Sequence, residues 1–299
     1  MNDSHNFRTA LILGGGGSTG NAWLIGVIAG LFEAGLDATT ADLIVGTSAG
    51  ATAAAQITSA APAELLAVTL APVPQQRSAP AGSGGRRDSG RPVIDHMARM
   101  TRIIAAAADA ADLRRKLGAA ALELDAASDG SWPTRWRATV ATRLPSPLWP
   151  QQTVFITAID ARTGEPVVFD RHSGVELVDA VAASTSSGFP YRIGDNRYLD
   201  GGFRSNAENA DLAAGYERVL VLSPFGGRSL TPLEWGTHLA TQVDELRAGG
   251  ATVETIFPDS DSEHLFGVNG MDLSLRPPAA RAGYAQGRAL AEQLKEFWH

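Results

Sequence analysis

Short apolar runs that end in glycine set the fold that this sequence can adopt. The first run, residues 9–13, leads into a glycine-rich loop at residues 14–20, and residues 21–34 then have the composition of a helix. A second run at residues 42–45 is followed by a small-residue helical segment at residues 49–57. Two strand–loop–helix units in succession predict a largely parallel sheet with helices on both faces, which is an α/β fold.

The same alternation returns in the second half of the chain. We predict further strands, a hairpin and helices there: strands at 153–159, 167–169, 218–222 and 252–257, a hairpin at 191–199, and helices at 175–183, 231–247 and 279–297. The sequence contains no internal repeat. These segments extend the α/β pattern over the whole chain, which we interpret as one domain, residues 1–299.

The middle of the chain, residues 72–150, breaks this alternation. Residues 72–92 are rich in Pro, Gly, Ser and Arg, which indicates a loop. Residues 93–125 carry apolar side chains at helical spacing and predict one or two helices, and residues 128–150 form a Pro- and Trp-rich connection. We therefore predict an inserted loop and helical cap, residues 72–150, that acts as a mobile lid.

Composition excludes several classes of protein. The 25 Lys and Arg against 32 Asp and Glu give a net charge of −7, which argues against a nucleic-acid partner. The chain has no cysteine, so disulfides, thiolate metal sites and a cysteine nucleophile are absent. No basic segment followed by a long apolar stretch opens the sequence, and we therefore expect no signal peptide and a cytoplasmic location.

The strongest local motif is Gly-Thr-Ser-Ala-Gly at residues 46–50, between a predicted strand and a predicted helix. A sharp strand-to-helix turn exposes the serine oxygen, and the flanking Gly46 and Gly50 let the backbone bend without a Cβ clash. The helix N-terminus also favours a developing negative charge. We therefore predict that Ser48 is a nucleophile; the structural alternative is a serine that only caps the helix.

Two further motifs complete a candidate site. Gly15, Gly16 and Gly17 expose backbone amides ahead of a helix, which suits an oxyanion hole, and Gly20 completes the loop. The same loop fits the G-x-G-x-x-G pattern of nucleotide-binding proteins, but the acidic residue that such a site requires is missing after the second strand. Residue Asp200, followed by Gly201 and Gly202, stands at a predicted turn and is the candidate base.

A histidine could take the place of this acid–serine pair. Of the six histidines, His172 and His264 lie in predicted loops from which they could reach Ser48. The order Ser48, Asp200, His264 even matches that of an α/β-hydrolase triad. No H-x-x-x-H or H-E-x-x-H spacing occurs, so we predict no metal site.

Taken together, the three motifs resemble those of the patatin-like phospholipases. Members of that family carry Gly-Gly-Gly-x-Arg/Lys-Gly, then G-x-S-x-G, then Asp-Gly-Gly or Asp-Gly-Ala, which match residues 15–20, 46–50 and 200–202 here. The resemblance extends over residues 9–222. It implies a three-layer α/β/α sandwich and a Ser48–Asp200 dyad that cleaves lipid esters without a cofactor.

One position departs from the family pattern. The Arg or Lys of the family's glycine loop is Thr19 here, which puts in doubt a preference for an anionic phosphate head group. Residues 86–116 carry eight Arg or Lys against four Asp, among them Arg99 and Arg102 beside Ile103 and Ile104. This basic amphipathic stretch predicts peripheral contact with an anionic membrane; the alternative is an ordinary solvated helix face. The other functions considered are a nucleotide-binding oxidoreductase and a non-catalytic lipid- or partner-binding member of the family.

Overall fold

The structure is a computed structural model that describes residues 7–71 and 91–298. In the helix that begins at Arg91, the side chains are described from residue 98 onward. Within these residues the strands are β1 (Thr9–Leu13), β2 (Leu43–Gly46), β3 (Thr153–Asp160), β4 (Pro166–Phe169), β5 (Tyr191–Ile193), β6 (Asn196–Asp200), β7 (Arg218–Leu222) and β8 (Thr252–Ile256). The α-helices are α1 (Gly17–Glu33), α2 (Ala49–Ile57), α3 (Pro62–Leu70), α4 (Arg91–Ala105), α5 (Ala110–Ala126), α6 (Trp132–Ala141), α7 (Leu177–Ser184), α8 (Leu239–Ala248) and α9 (Arg276–Trp298).

A single mixed sheet forms the centre of the described fold. Its strands run in the order β5-β6-β3-β2-β1-β7-β8, with β4 paired to β3. Each of the five neighbouring strands β3, β2, β1, β7 and β8 is parallel to the next, whereas β4 and β6 pair antiparallel to β3. Because parallel strands are buried on both faces, they are continuous apolar runs, as in β1.

Helices cover both faces of the sheet. Alternate residues of β1 divide between two cores: Leu11 and Leu13 join the core beneath α1, α2 and α9, and Ala10 and Ile12 join the core beneath α8. This alternation follows from the two-residue period of a strand. The predicted three-layer α/β/α arrangement with a mainly parallel sheet is therefore confirmed.

The first and last helices of the chain pack unusually closely. A Cβ at Gly26 of α1 would lie 2.2 Å from the carbonyl oxygen of Ala280, and one at Gly283 of α9 would lie 2.3 Å from the carbonyl oxygen of Trp23. Only glycine permits this backbone approach. Within the contact, Trp23 Nε1 donates to Gln286 Oε1 at 3.2 Å. As a result α1 is buried along almost its whole length.

Several predicted elements differ in extent from the observed ones. Helix α1 begins at Gly17, inside the segment predicted as loop. The helix predicted at 231–247 begins only at Leu239, since Gly236 adopts a left-handed conformation (φ 65°) and interrupts it. The predicted connection at 128–150 contains α6, whose Pro133 stands in the first turn, where proline is tolerated.

The later part of the predicted cap is built into the layers of the fold. Leu117 and Ala121 of α5 share an apolar cluster with Ile159 of β3 and Leu199 of β6. Helix α5 therefore covers the sheet itself, and a cap over Ser48 formed by residues 72–150 stays a prediction.

Helix α6 likewise packs within a layer. Its Val140 is fully buried in the main core, and Trp136 Nε1 donates to the Ala182 carbonyl of α7 at 3.2 Å. Arg137 of α6 also pairs with Glu176 and Asp179 at the start of α7. These contacts attach α6 to α7.

Helix α4 rests on the outside of α5. Arg99 donates to the Ala120 carbonyl at 2.8 Å, while Ile103 and Ile104 pack against the α5 cluster. Ile103 and Ile104, which were predicted to meet lipid, are thus turned toward α5, although Arg102 remains exposed. Of the loop predicted at 72–92, residues 72–90 lie outside the described residues, and residues 91–92 begin α4. Among the helices that are described, none is long and apolar enough to cross a bilayer.

Candidate active site

Ser48 stands at the turn between β2 and α2, with its backbone at φ 54° and ψ −112°. This conformation is strained for a residue with a Cβ, and strain of this kind is characteristic of functional turns. Gly50 makes the turn possible, because a Cβ there would lie 1.8 Å from the Leu13 carbonyl oxygen. The tight turn directs the Ser48 hydroxyl away from the strand and leaves it half-buried.

Asp200 meets Ser48 from the end of β6. Ser48 Oγ donates to Asp200 Oδ2 at 2.8 Å, and the Gly202 amide donates to Oδ1 at 2.8 Å. The carboxyl group is only 6% exposed, and this burial raises its pKa from an ordinary 3.8 to about 6, against the opposing effect of the two hydrogen bonds. The two residues that the motifs singled out, 152 positions apart, are therefore in contact.

Sequence reasoning missed a serine that contacts the backbone of Ser48. The Ser48 amide donates to Ser184 Oγ at 3.0 Å, and Ser184 is fully buried at the end of α7. No local pattern around residue 184 distinguishes it from an ordinary helix-terminal serine. Its role depends on the sheet bringing α7 next to α2.

A buried polar network lies below the Ser48–Asp200 pair. Asn209, left-handed at φ 56°, donates to Thr47 Oγ1 and to the Gly201 carbonyl, each at 3.0 Å. The Thr47 hydroxyl in turn shares a 2.9 Å hydrogen bond with that of Thr157. Gly201 fits only without a side chain, because a Cβ would lie 2.0 Å from Thr157 Oγ1. This network joins the serine turn to the aspartate turn.

The glycine loop lies beside Ser48, and its amides differ in what they contact. A Cβ at Gly15 would lie 3.5 Å from Ser48 Cβ, but the Gly15 amide donates to the Ala207 carbonyl at 2.8 Å. In the part of the chain that is described, the amides of Gly16 and Gly17 have no hydrogen-bond acceptor. Of the three predicted oxyanion donors, Gly15 therefore already has an acceptor within the fold, whereas the amides of Gly16 and Gly17 remain available.

Close contacts hold Gly16 and Gly17 in place. A Cβ at Gly16 would lie 2.6 Å from Pro224 Cβ, and Gly20, one turn into α1, also packs against Pro224. Gly17 has φ 65° and faces the Gly270 carbonyl, which accepts from the Thr19 amide at 3.0 Å. The loop is therefore wedged between two other loops, which fixes its amides at the N-terminus of α1.

A second buried acid, Glu208, lies below the same loop. It is fully buried, its Oε1 accepts from Ser223 Oγ at 2.6 Å, and its Oε2 has no hydrogen-bond partner among the described residues. Burial raises the pKa of Glu208 from 4.5 to about 7. A Cβ at Gly14 would lie 3.3 Å from Glu208 Cγ, so this side chain supports the start of the loop.

His172 and His264, the two histidines considered for a triad, do not contact the pair. His172 and His264 lie on exposed segments, and in the described part of the chain neither is hydrogen-bonded to Ser48 or Asp200. The same residues contain no group of three or more histidine, aspartate or glutamate side chains placed to hold a metal ion.

Asp42 takes a structural position. Its carboxylate accepts from the Thr9 amide at 2.7 Å, at the starts of β1 and β2. The glycine loop follows the opposite end of β1, so the two cannot hold one dinucleotide as in a nucleotide-binding unit. This geometry disfavours the oxidoreductase alternative.

Comparison with known proteins gives the class of this fold and site. The family model described as "Patatin-like phospholipase" matches residues 11–212, which include the glycine loop, Ser48 and Asp200. This is more than half of the chain, which therefore belongs to the patatin-like phospholipase family. The family match supports lipid hydrolase activity.

Solved structures with similar folds include two proteins of low sequence identity. VipD from Legionella pneumophila is 15% identical over 96% of this chain and 67% of its own, with a TM-score of 0.45. The type III effector protein ExoU is 13% identical over 96% of this chain and 53% of its own, with a TM-score of 0.37. The chain thus spans about two thirds of the first and about half of the second. No curated protein sequence matches the chain.

Proposed function

We propose that this chain is a serine acyl hydrolase that cleaves carboxylic esters of lipids through Ser48 and Asp200. The observation that carries the proposal is the 2.8 Å hydrogen bond from Ser48 Oγ to the buried Asp200 carboxyl, at a strained strand-to-helix turn. The match to the patatin-like phospholipase family supports lipid esters as the substrates.

The first step is attack of Ser48 Oγ on the ester carbonyl while Asp200 takes the serine proton. A general base works best when its pKa is close to the working pH. Burial raises the pKa of Asp200 to about 6, so near pH 7 the carboxylate is mostly ionised and yet more basic than an exposed aspartate. The Gly202 amide holds Oδ1, which leaves Oδ2 directed at the serine.

Negative charge then develops on the carbonyl oxygen. The amides of Gly16 and Gly17 at the N-terminus of α1 are the donors we assign to it, and the helix dipole acts in the same direction. Each such donor is typically worth about 3 kcal/mol of transition-state stabilisation.

Water completes the cycle. The alcohol product leaves with the proton held by Asp200, and an acyl group remains on Ser48 as an ester. Asp200 then accepts a proton from water, whose oxygen attacks the acyl carbonyl. The bond to Ser48 Oγ breaks as Asp200 returns the proton to that oxygen, which releases the fatty acid and restores the Ser48 hydroxyl. The steps need no metal ion or organic cofactor, and the partner is the lipid ester itself.

The test combines covalent labelling with hydrolysis of p-nitrophenyl butyrate. We expect a fluorophosphonate probe to label the wild type, and Ser48→Ala to abolish both labelling and hydrolysis. Asp200→Asn should lower hydrolysis by a factor of about 10²–10⁴, the range expected for a positioned base. Ser59→Ala is the matched control, because Ser59 is exposed just beyond the end of α2.

Histidine variants separate the dyad from a triad. His172→Ala and His264→Ala should each change kcat/KM by less than about tenfold, since a catalytic histidine would cost more. A large loss at either histidine would replace the dyad. Unlabelled wild-type protein without esterase activity would support a non-catalytic member of the family instead.

A further inference from the structure

Glu208 lies between two segments of the chain that contact the glycine loop. The residue before it, Ala207, accepts the Gly15 amide at 2.8 Å. The Glu208 side chain packs against Gly14, where a Cβ would lie 3.3 Å from Glu208 Cγ and 3.4 Å from Oε1. The first residues of the glycine loop therefore contact both this side chain and the backbone next to it.

A short hydrogen bond attaches Glu208 to the second of these segments. Ser223 Oγ, which follows the end of β7, donates to Glu208 Oε1 at 2.6 Å. The next residue, Pro224, is the one against which Gly16 packs, since a Cβ at Gly16 would lie 2.6 Å from Pro224 Cβ. Glu208 thus links the segment that holds Gly15 to the segment that holds Gly16. The link fixes the spacing of the two segments and with it the shape of the loop between them.

The surroundings of Glu208 favour a protonated carboxyl group. The residue is fully buried, and its Oε2 has no hydrogen-bond partner among the described residues. An ionised carboxylate here would be a buried charge with a single hydrogen bond, whereas a protonated carboxyl group leaves only a neutral hydroxyl unpaired. Burying an unpaired charge costs far more than burying an unpaired neutral group. The same burial raises the pKa of Glu208 to about 7.

Charged groups on the neighbouring elements do not offset this burial. Strands β1 and β2 contain no titratable residue, and the one in β7, Arg218, stands at the end of the strand away from Ser223. Arg204 and Asp211, on either side of Glu208 in the sequence, pair with each other at 2.8 Å. Residues 224–227 contain no titratable side chain.

Two more charged groups lie around the site, and each is engaged elsewhere. Asp200 accepts from Ser48 Oγ, and Arg276 of α9 donates to the Ser18 carbonyl at 3.0 Å and to its hydroxyl at 3.1 Å. The raised pKa of Glu208 has burial as its cause, opposed by hydrogen bonds to its side chain. No charged group in the described part of the chain contributes to it.

We propose that Glu208 is a positioning residue that holds the glycine loop in its oxyanion-binding shape only while its carboxyl group is protonated. This inference rests on the proposed function. Glu208 acts through the amides of Gly16 and Gly17 and does not itself contact the substrate. An ionised carboxylate requires hydrogen-bond donors that the packed loop does not supply. It also places a negative charge beside the loop that must bind a developing negative charge.

The reaction then requires two buried carboxyl groups in opposite states. Asp200 must be ionised to accept the serine proton, and its pKa is about 6, whereas Glu208 must be protonated, and its pKa is about 7. The value of kcat/KM should therefore rise as the pH passes about 6 and fall above about 7. The fall should appear mainly in kcat, because the oxyanion exists only in the transition state and the intermediate that follows it.

The experiment measures kcat and KM for p-nitrophenyl butyrate from pH 5 to pH 9 in the wild type and in Glu208→Gln. Glutamine stays neutral over this range, and its Oε1 can still accept from Ser223 Oγ. The wild-type kcat/KM should fall about 20-fold from its maximum to pH 8.5, whereas Glu208→Gln should keep a plateau above pH 7.

Controls separate loss of loop shape from loss of the fold. Glu245→Gln removes an exposed glutamate of α8 and should retain the wild-type fall in activity. Glu208→Asp withdraws the carboxyl group from Gly14 but still titrates, so its kcat should be lower at the optimum and should still fall above it. Wild-type protein kept at pH 8.5 should remain folded by circular dichroism and regain full activity at pH 6.5, because ionisation is reversible.

Two results would overturn the proposal. A wild-type kcat/KM that stays constant from pH 7 to pH 9 would refute the need for a protonated Glu208, whether or not Glu208→Gln folds. An unchanged fall in folded Glu208→Gln would assign the titration to another group.

The same measurements distinguish failure of this inference from failure of the proposed function. If hydrolysis depends on Ser48 and its pH profile does not respond to Glu208, only the positioning role is refuted. If the wild type is inactive at every pH, or if Ser48→Ala retains full activity, the proposed hydrolase itself is refuted.

Discussion

Replacing Asp200 by asparagine should make the protein more stable above pH 6 while it removes the base. The carboxyl group is buried, and its pKa rises from 3.8 to about 6 on folding. Asparagine has the same shape: its Oδ1 can accept from the Gly202 amide, and its Nδ2 can donate to Ser48 Oγ. The substitution therefore keeps both hydrogen bonds and removes only the buried charge.

The sign and size of the effect follow from the pKa difference. Below pH 3.8 the carboxyl group is protonated in both folded and unfolded chains, so the two proteins should be equally stable. As the pH rises through about 6, the wild type loses stability because ionisation favours the unfolded chain, whereas asparagine does not titrate. A difference of about two pKa units corresponds to about 3 kcal/mol at pH 8. That free energy would raise the melting temperature by about 6 °C.

Thermal unfolding at pH 4 and at pH 8 measures this difference. We expect Asp200→Asn to melt several degrees above the wild type at pH 8 and within about 1–2 °C of it at pH 4, since the charge is largely absent there. Asp244→Asn serves as the control, because Asp244 is exposed on α8. A variant that melts at or below the melting temperature of the wild type at pH 8 would show that the buried charge does not destabilise the folded protein.

Two further substitutions test features around the site. Ser48→Gly should be more stable than Ser48→Ala by about 1–3 kcal/mol in urea unfolding, because glycine adopts φ 54° without strain and both variants lack the hydroxyl. Equal midpoints would mean that the turn is unstrained. Glu208→Gln should be more stable than the wild type at pH 8.5 but not at pH 4, because burial raises the pKa of Glu208 to about 7. Its stabilising effect should develop as the pH rises from 4.5 through about 7. A pH-independent difference would contradict this origin.

The sequence predicted the elements whose signals are local. Strands β1 and β7 begin and end where expected, because each is a short apolar run with a sharp polar or glycine boundary. The helix predicted from residue 231 was wrong in its first eight residues. There the Thr231 carbonyl contacts His238 Nε2, and Gly236 is left-handed. These features hold the backbone in a loop, although the composition of the segment alone predicts a helix.

The motifs also identified Ser48 and Asp200 as candidate site residues, because each lies in a glycine-containing turn that the sequence itself shows. The residues that support them lie in no recognisable sequence motif. Ser184 lies 136 positions from Ser48, and Arg276 lies 258 positions from Ser18. Those contacts exist only because the sheet order and the packing of α9 on α1 bring distant segments together. The availability of the loop amides likewise depends on Ala207, which takes up the Gly15 amide.

The contact between the first and last helices has a consequence for synthesis of the chain. During translation, residues 9–33 emerge before β7 and α9, yet β1 pairs with β7 and α1 packs its glycines against α9, which ends at Trp298. Domains are made from the N-terminus onward at about 5–20 residues per second. The helix that presents the glycine loop therefore waits, without its main partner, until the last turn of α9 has left the ribosome. A nascent chain should accordingly contain Ser48 and Asp200 long before the packed structure around them can form.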